Sequence, residues 1–368
     1  MSRSPWILLL AVAATAASLG AQTPISLAPR DDIEQTRVAT RGANFLNIPV
    51  GARAQALAGA YTAIAEGIPA LYWNSAAIAF HEGTRLGVSV SSLYDLDIRH
   101  TFAGIIVPSG INRFAVSVNQ LGSGEITRTD EEYPEGGNPQ FGETYEWSAT
   151  AISLHYARLI TDRLGVGAAA KYITEGIPGA QASFIAADVG IQFHTGILGT
   201  TLAAALVNVG SDGRITGPAT RRRVNQATNT ANVIDARRSF DFDFATRNIE
   251  LPTGFRFGVS AEVLGGASSL LAPSPDHSLM AMIDLTDRTD SPLSPTVGFE
   301  YSYRKILFLR AGKRWANEDQ ISYDFGHQAA LGAGLAIPIG RRRILVDYAF
   351  TSFGELQNVQ AVAVEIAL

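Results

Sequence analysis

From Thr84 to Leu368 large apolar residues fall on every second position, in runs of about ten residues that each end in a turn. Leu86, Val88 and Val90 alternate with Gly87, Ser89 and Ser91; Phe114, Val116 and Val118 with Ala115, Ser117 and Asn119. Phe255, Phe257 and Val259 alternate with Arg256, Gly258 and Ser260, and Val362, Val364 and Ile366 with Ala363 and Glu365. A period of two belongs to β-strands with one greasy face and one small or polar face. The run length separates two kinds of sheet. Globular strands average about 5 to 6 residues, whereas a tilted strand needs about 9 to 11 to cross a bilayer.

About fourteen such strands are expected, starting near Thr84, Ile98, Asn112, Thr144, Arg163, Ala182, Leu198, Gly254, His277, Ser294, Lys305, Ala329, Arg341 and Asn358. Tight turns are predicted at 108–111, 161–162, 195–197, 304 and 338–341, and longer polar connections at 122–143, 175–181, 209–253, 287–292 and 313–328. Short turns on one side and long loops on the other mark a transmembrane antiparallel barrel, the short set being periplasmic. The connection 265–276 is long on the short side and fits no rule of the pattern. Closure follows from the solvent, because an open sheet edge in lipid leaves backbone groups unpaired.

Composition agrees with that reading. Hydrophobic residues are 46% of the chain and charged residues only 17%, against about 25% in soluble domains. The net charge is −5, and no basic patch interleaved with aromatics suggests a nucleic-acid partner. Arg3 followed by the apolar run Trp6 to Leu19 and by Ser18, Gly20 and Ala21 has the layout of a cleavable export signal. The expected organisation is a signal peptide over 1–21, a flexible periplasmic segment over 22–41, a luminal hatch over 42–83, and a barrel over 84–368 with a long extracellular loop at 209–253. The chain has no cysteine, so neither a disulfide nor a lipoprotein anchor is available.

The polar parity of the strands carries Lys171, Asp188, Arg256, Glu262, Asp284, Glu300, Arg310, Asp347 and Glu365. On the lipid face an Arg or Lys would cost about 2–4 kcal/mol near the midplane, so these charges are expected to line the lumen and to pair there. Other inward positions are Gly or Ala, which makes a thin wall with room inside. The segment 42–80 lacks alternation and is rich in Ala and Gly. It is expected to plug the lumen, with Tyr72, Trp73 and Asn74 filling volume and bonding inward polar groups, and with Arg53 held by luminal carboxylates.

The stretch GANFLNIPVGARAQALAGAYTAIAEGIPALYWNSAAIA, residues 42–79, resembles the N-terminal signature of the PorV/PorQ family, a branch of the FadL-like outer-membrane barrels. That signature reads Phe-Leu, then Gly-Ala-Arg-Ala, Gly-Gly-Ala and a Tyr-Trp-Asn-Pro-Ala box. Fourteen strands agree with the family's barrel, and the terminal DYAFTSFGELQNVQAVAVEIAL is similar too. By resemblance Asn74, Ser75 and Ala76 occupy the Asn-Pro-Ala box of the hatch that occludes the lumen. Ser75 stands where the family has Pro, and Ala58 where it has the first Gly of Gly-Gly-Ala. The resemblance implies a non-enzymatic outer-membrane protein, without a cofactor, that binds the C-terminal domains of exported cargo and other secretion components of a type IX system. Its alternative is a FadL-like, hatch-gated channel for hydrophobic small molecules.

The loop 209–253 carries Arg221, Arg222 and Arg223 and then Phe240, Phe242 and Phe244 alternating with Asp241 and Asp243, a candidate partner-binding surface or a solvated loop facing lipid phosphates. Asp130, Glu131, Glu132 and Glu135 form an acidic cluster whose spacing matches no EF-hand, so no metal is expected. The six histidines lack the i, i+4 spacing of zinc sites, and neither a Gly-x-Ser-x-Gly elbow nor a Walker loop is present. His155 is expected in the lumen with a hydrogen-bond partner.

Overall fold

The computed structural model describes residues 40–94, 96–129, 131–139, 144–225, 239–315, 328–340, 342–352 and 358–368, without the side chains of 222–225 and 239–240. The expected signal peptide lies outside the described residues. The strands are β1 (Arg85–Leu93), β2 (Ile98–Ser109), β3 (Asn112–Thr127), β4 (Thr144–Leu159), β5 (Leu164–Ile177), β6 (Ala180–His194), β7 (Thr201–Gly210), β8 (Arg221–Asn225) and β9 (Ser239–Asp243). They continue as β10 (Gly254–Gly265), β11 (Ala272–Pro273), β12 (His277–Arg288), β13 (Ser291–Tyr303), β14 (Leu307–Arg314), β15 (Gln328–Ile339), β16 (Arg342–Ser352) and β17 (Asn358–Ala367). Fourteen of them, β1–β7, β10 and β12–β17, form one closed antiparallel barrel. The ring closes where β1 pairs with β17 from Arg85↔Ala367 to Leu93↔Val359, and the long loop is bridged where β7 pairs with β10 from Val207↔Gly254 to Thr201↔Ser260. Every barrel strand therefore has two neighbours, which removes the edge that lipid would penalise.

Alternation sets the two faces. On β1, Leu86, Val88 and Val90 point outward at 51%, 43% and 42% exposure, while Ser89 and Ser91 are buried in the lumen. On β10, Phe255 and Phe257 face out and Arg256 and Ser260 face in. The protein is an outer-membrane β-barrel with an apolar outer band. The long connections 128–143, 211–253 and 315–327 all leave the same end, which is the extracellular one.

Two connections differ from expectation. Residues 175–181 and 287–292 were predicted as long and polar, but the strands run into both. They leave tight hairpins at Pro178–Gly179 and Thr289–Asp290. Glu175, Gly176 and Gln181 are polar yet pair across the ladder, since hydrogen bonding, not polarity, decides where a strand stops. The odd periplasmic connection 265–276 also has its reason. It folds back on β10, with Leu270 N–H donating to Glu262 O, Leu271 N–H to Val263 O, and β11 pairing in parallel with Leu264 and Gly265.

Residues 42–83 fill the lumen as short turns: a 3-10 turn at Asn44–Asn47, α1 (Ala52–Ala56), α2 (Ala70–Trp73) and a 3-10 turn at Ser75–Phe80. The last begins at Asn74, whose side chain accepts from Ala76 N–H at 3.1 Å, a side-chain cap that starts a turn too short to stabilise itself. Small wall residues let the plug come close. A Cβ on Gly167 would lie 2.5 Å from Ala76 N, and one on Gly312 would lie 2.2 Å from Leu57 C. Leu57, Tyr61, Leu71, Trp73 and Ile78 of the plug pack with Phe102, Ile106 and Met282 of the wall into one apolar core.

Candidate functional site

The plug is held differently on its two sides. Toward β1, β13, β14, β16 and β17 it is held by charge. Arg53 on α1 forks onto Glu300, with Nε and Nη2 each 2.8 Å from a carboxylate oxygen, and its Nη1 reaches Glu66 at 3.1 Å. Arg310, 1% exposed at its side chain, donates to Glu300 and Asp347, both at 2.6 Å. Arg85 bridges Glu365 at 2.8 Å and Glu66 at 3.3 Å, and the other oxygen of Glu365 accepts from Ile68 N–H of the plug. Burial works against the charged form of Glu66, but the Arg53 and Arg85 guanidinium groups outweigh it and hold its carboxyl at about 2.

Toward β4–β6 the described residues of the plug make single hydrogen bonds and no ion pair; one such bond runs from Ala43 N–H to the Glu175 carboxylate of β5 at 2.9 Å. Asn74 Nδ2 donates to Ile191 O on β6 at 3.0 Å. Ser75 Oγ lies 3.0 Å from His155 Nδ1, and His155 Nε2 lies 2.9 Å from Ser117 Oγ, all three buried. On β12, Asp284 accepts the backbone N–H groups of Tyr61 at 3.1 Å and Thr62 at 2.7 Å.

Two predicted gate residues act otherwise than expected. The polar side-chain atoms of Tyr72 and Trp73 bond within the plug and not to the wall. The Tyr72 hydroxyl donates to Leu46 O and Trp73 Nε1 to Val50 O, both at 2.9 Å, so the aromatics staple the plug to itself. The wall comes to them instead. The Arg256 guanidinium lies 4.5 Å from the Tyr72 ring centre and 4.8 Å from that of Trp73, and donates to Tyr72 O at 2.8 Å. Arg256 is thus spent on aromatic faces and a carbonyl, not on an acid. Ala76 is buried in the turn that faces Gly167.

Lys171 and Asp188 pair at 2.6 Å, and Asn208 joins them, accepting from Lys171 at 2.8 Å and donating its backbone N–H to Asp188 at 2.8 Å. Asn208 has φ 58° and sits where the β6–β7 register shifts between Ala187 and Val189, so a bulge turns it into the lumen. Glu262 departs from its expected luminal pairing. Its carboxylate accepts from Gly266 N–H at 2.9 Å and anchors the folded-back connection after β10.

Sequence reasoning missed Glu66, Arg85 and His81. Glu66 is the one charged residue between Arg53 and Phe80, and Arg85 holds the inward parity of β1; both signals were visible. His81 is buried and its Nε2 accepts from Gly67 N–H at 2.7 Å, which requires a neutral ring. Desolvation, with Arg85 adding to it, lowers its pKa to about 4.

The charged loop residues lie apart from the lumen. Arg221–Arg223 fall on β8, which pairs with β9 in a hairpin separate from the barrel; Arg221 bonds Asp243 at 3.1 Å. Phe242 and Phe244 are exposed and stack edge to face, while the side chain of Phe240 lies outside the described residues. Glu131, Glu132 and Glu135 are exposed in the extracellular connection, and Asp130 is outside the described residues.

A packed apolar cluster and a cavity flank the plug. On the extracellular side Phe45 and Leu46 insert among inward-facing Leu93, Leu121, Ile173, Phe184, Leu251 and Val359, so the upper lumen is greasy, not polar. This cluster meets the wall where the β3–β4 register breaks between Gly122 and Glu125, and Ser123 Oγ accepts the Trp147 N–H at 3.0 Å. On the periplasmic side a cavity of about 560 Å³ lies between the plug and β6, β7, β10 and β12.

The toluene transporter TodX of Pseudomonas putida superposes on this chain with a TM-score of 0.54 at 13% identity, covering 86% of this chain and 96% of that one. The toluene transporter TbuX of Ralstonia pickettii gives 0.51 at 13% identity, covering 86% and 97%. The CymD monoaromatic hydrocarbon channel gives 0.54 at 12% identity, covering 87% and 96%. At these identities the likeness is one of fold. No protein-family model matches the chain, and no curated protein matches it in sequence.

Proposed function

We propose that the protein is a FadL-like channel that carries small hydrophobic molecules across the outer membrane when its plug shifts. The observation that carries this reading is the apolar upper lumen. Phe45 and Leu46 occupy an inward-facing hydrocarbon-lined site that a polar porin would have no use for, and that site touches the wall at the one break in the β3–β4 ladder. A solute arriving from outer-leaflet lipid displaces Phe45 and Leu46 and exchanges one greasy contact for another. The three structural neighbours, described as transporters of toluene or as a channel for monoaromatic hydrocarbons, lend weight to the same class of solute.

The plug yields first toward β4–β6. Neutral hydrogen bonds such as those of Asn74 and Ser75 contribute about 0.5–1.5 kcal/mol each, whereas breaking a buried ion pair such as Arg310 with Glu300 costs about 3–5 kcal/mol. Uptake of radiolabelled toluene by cells lacking their own hydrocarbon channel tests the reading. The chain is expected to restore uptake, and Leu121→Asp, which places a charge in the upper site, to abolish it.

The second reading, capture of exported cargo in type IX secretion, draws its support from the resemblance of 42–79 and from the exposed Phe242–Phe244 pair on the β8–β9 hairpin. Stoichiometric co-purification of secreted proteins that share one C-terminal domain would favour it over the channel.

A further inference from the structure

The periplasmic cavity has an uneven lining. Ala63, Ile64 and Phe80 of the plug and Met280 of β12 give it an apolar side. Opposite stand Gln192 on β6 and Ser260 on β10, and the side-chain oxygens of both, Gln192 Oε1 and Ser260 Oγ, are buried without a hydrogen-bond partner among the described residues. A buried oxygen left unpaired is costly, and two at one cavity wall mark a place where something else supplies the donor.

Apart from Glu82, the other polar groups of the wall are already engaged. Arg53 and Arg85 are spent on Glu66, Glu300 and Glu365, His81 Nε2 accepts from Gly67 N–H, and His194 Nδ1 lies 3.1 Å from Thr201 Oγ1. Glu82, exposed at the mouth, is the remaining charge of the lining and disfavours an anion, while the two unpaired oxygens themselves are uncharged and suit a neutral donor. The volume of about 560 Å³ is within the range of small-molecule sites, and an engineered cavity of about 150 Å³ already admits benzene.

We propose that this cavity is a binding site for a neutral molecule with a hydrocarbon body and one hydroxyl, an alkylphenol being the simplest example. Its O–H donates to Gln192 Oε1 while its oxygen accepts from the Ser260 hydroxyl, and its ring lies on Ile64, Phe80 and Met280. This rests on the channel reading and deepens it: the upper site admits hydrocarbons, and the periplasmic site distinguishes those that carry a polar handle.

The test is equilibrium dialysis of radiolabelled 4-methylphenol and toluene against the purified full-length barrel in lipid nanodiscs, with empty nanodiscs as the blank, for the native chain, Ser260→Ala and Gln192→Leu. A lost hydrogen bond is expected to weaken 4-methylphenol binding about fivefold to tenfold in each variant and to leave toluene unchanged. Ser260 Oγ has no protein partner, so Ser260→Ala keeps the barrel folded, which its heat-modifiable mobility checks; if Gln192→Leu fails to assemble, Ser260→Ala alone decides. Binding of 4-methylphenol no greater than the blank, or equal in native chain and variant, overturns the proposal and makes the cavity a water-filled vestibule. Toluene uptake by cells fails separately: its loss with selective 4-methylphenol binding intact sinks the channel and leaves the site.

Discussion

Arg310 shows how much one side chain holds. It is almost wholly enclosed and faces two carboxylates, so Arg310→Met leaves Glu300 and Asp347 buried side by side with only Arg53 to answer them. The expected loss is about 3–5 kcal/mol in urea unfolding from lipid vesicles. Arg304→Ala removes an exposed pair with Asp276 and is expected to change nothing measurable. Ala58 stands where the resembled signature has Gly, and it has φ 53°, a left-handed conformation that costs a side-chain-bearing residue about 1–2 kcal/mol. After the larger chain entropy of glycine is offset, Ala58→Gly should stabilise the protein by about 0.5–1 kcal/mol.

His81 gives the plug a pH dependence. Its pKa is lowered to about 4 in the folded protein, so the unfolded chain binds more protons between about 6.5 and 4, and stability falls as pH falls through that window. The difference between the native chain and His81→Gln, which keeps an acceptor for Gly67 N–H, should open by up to about 3 kcal/mol over that range. The Glu66 pKa is lowered too, here against its burial by attraction to Arg53 and Arg85: its stabilisation is present above about 4.5 and is lost progressively as pH falls from about 4.5 to about 2.

Among the elements, the strands and the place of the plug were legible, and the plug's contacts were not. Ile98, Asn112, Thr144, Gly254, His277 and Asn358 begin strands where the alternation says they do, because lipid on one side and a packed lumen on the other enforce the pattern at every residue. The turn at Pro178–Gly179 was hidden by polar strand ends, which extend beyond the bilayer and no longer need alternation. The plug has no such external solvent to write a period into it. Its contacts depend on which Gly of the wall meets which backbone atom, and the roles of Phe45, Leu46, Tyr72 and Trp73 emerge only in three dimensions. Gly167 makes this testable. Gly167→Val should push Ser75 and Ala76 off the wall while leaving the ladder intact, and a planar bilayer should then pass ion current well above that of the native chain.

At the scale of the whole molecule, a barrel closed without an edge carries a plug fixed by ion pairs on one side and by single hydrogen bonds on the other, between a packed apolar cluster above and a mixed cavity below. The arrangement has the asymmetry of a door. A solute-driven shift at the Asn74 side would open a path from the apolar cluster to the lower cavity while the Arg53, Arg310 and Arg85 network holds the plug in the lumen. The most direct measurement is toluene uptake with that side locked. The chain has no native cysteine, and a Cβ at Gly190 would lie 3.3 Å from Asn74 Cγ, so Asn74→Cys with Gly190→Cys places two thiols within disulfide reach. Oxidised cells should lose uptake and regain it on reduction. Uptake equally fast in the locked and unlocked forms would contradict a channel opened by movement of this plug.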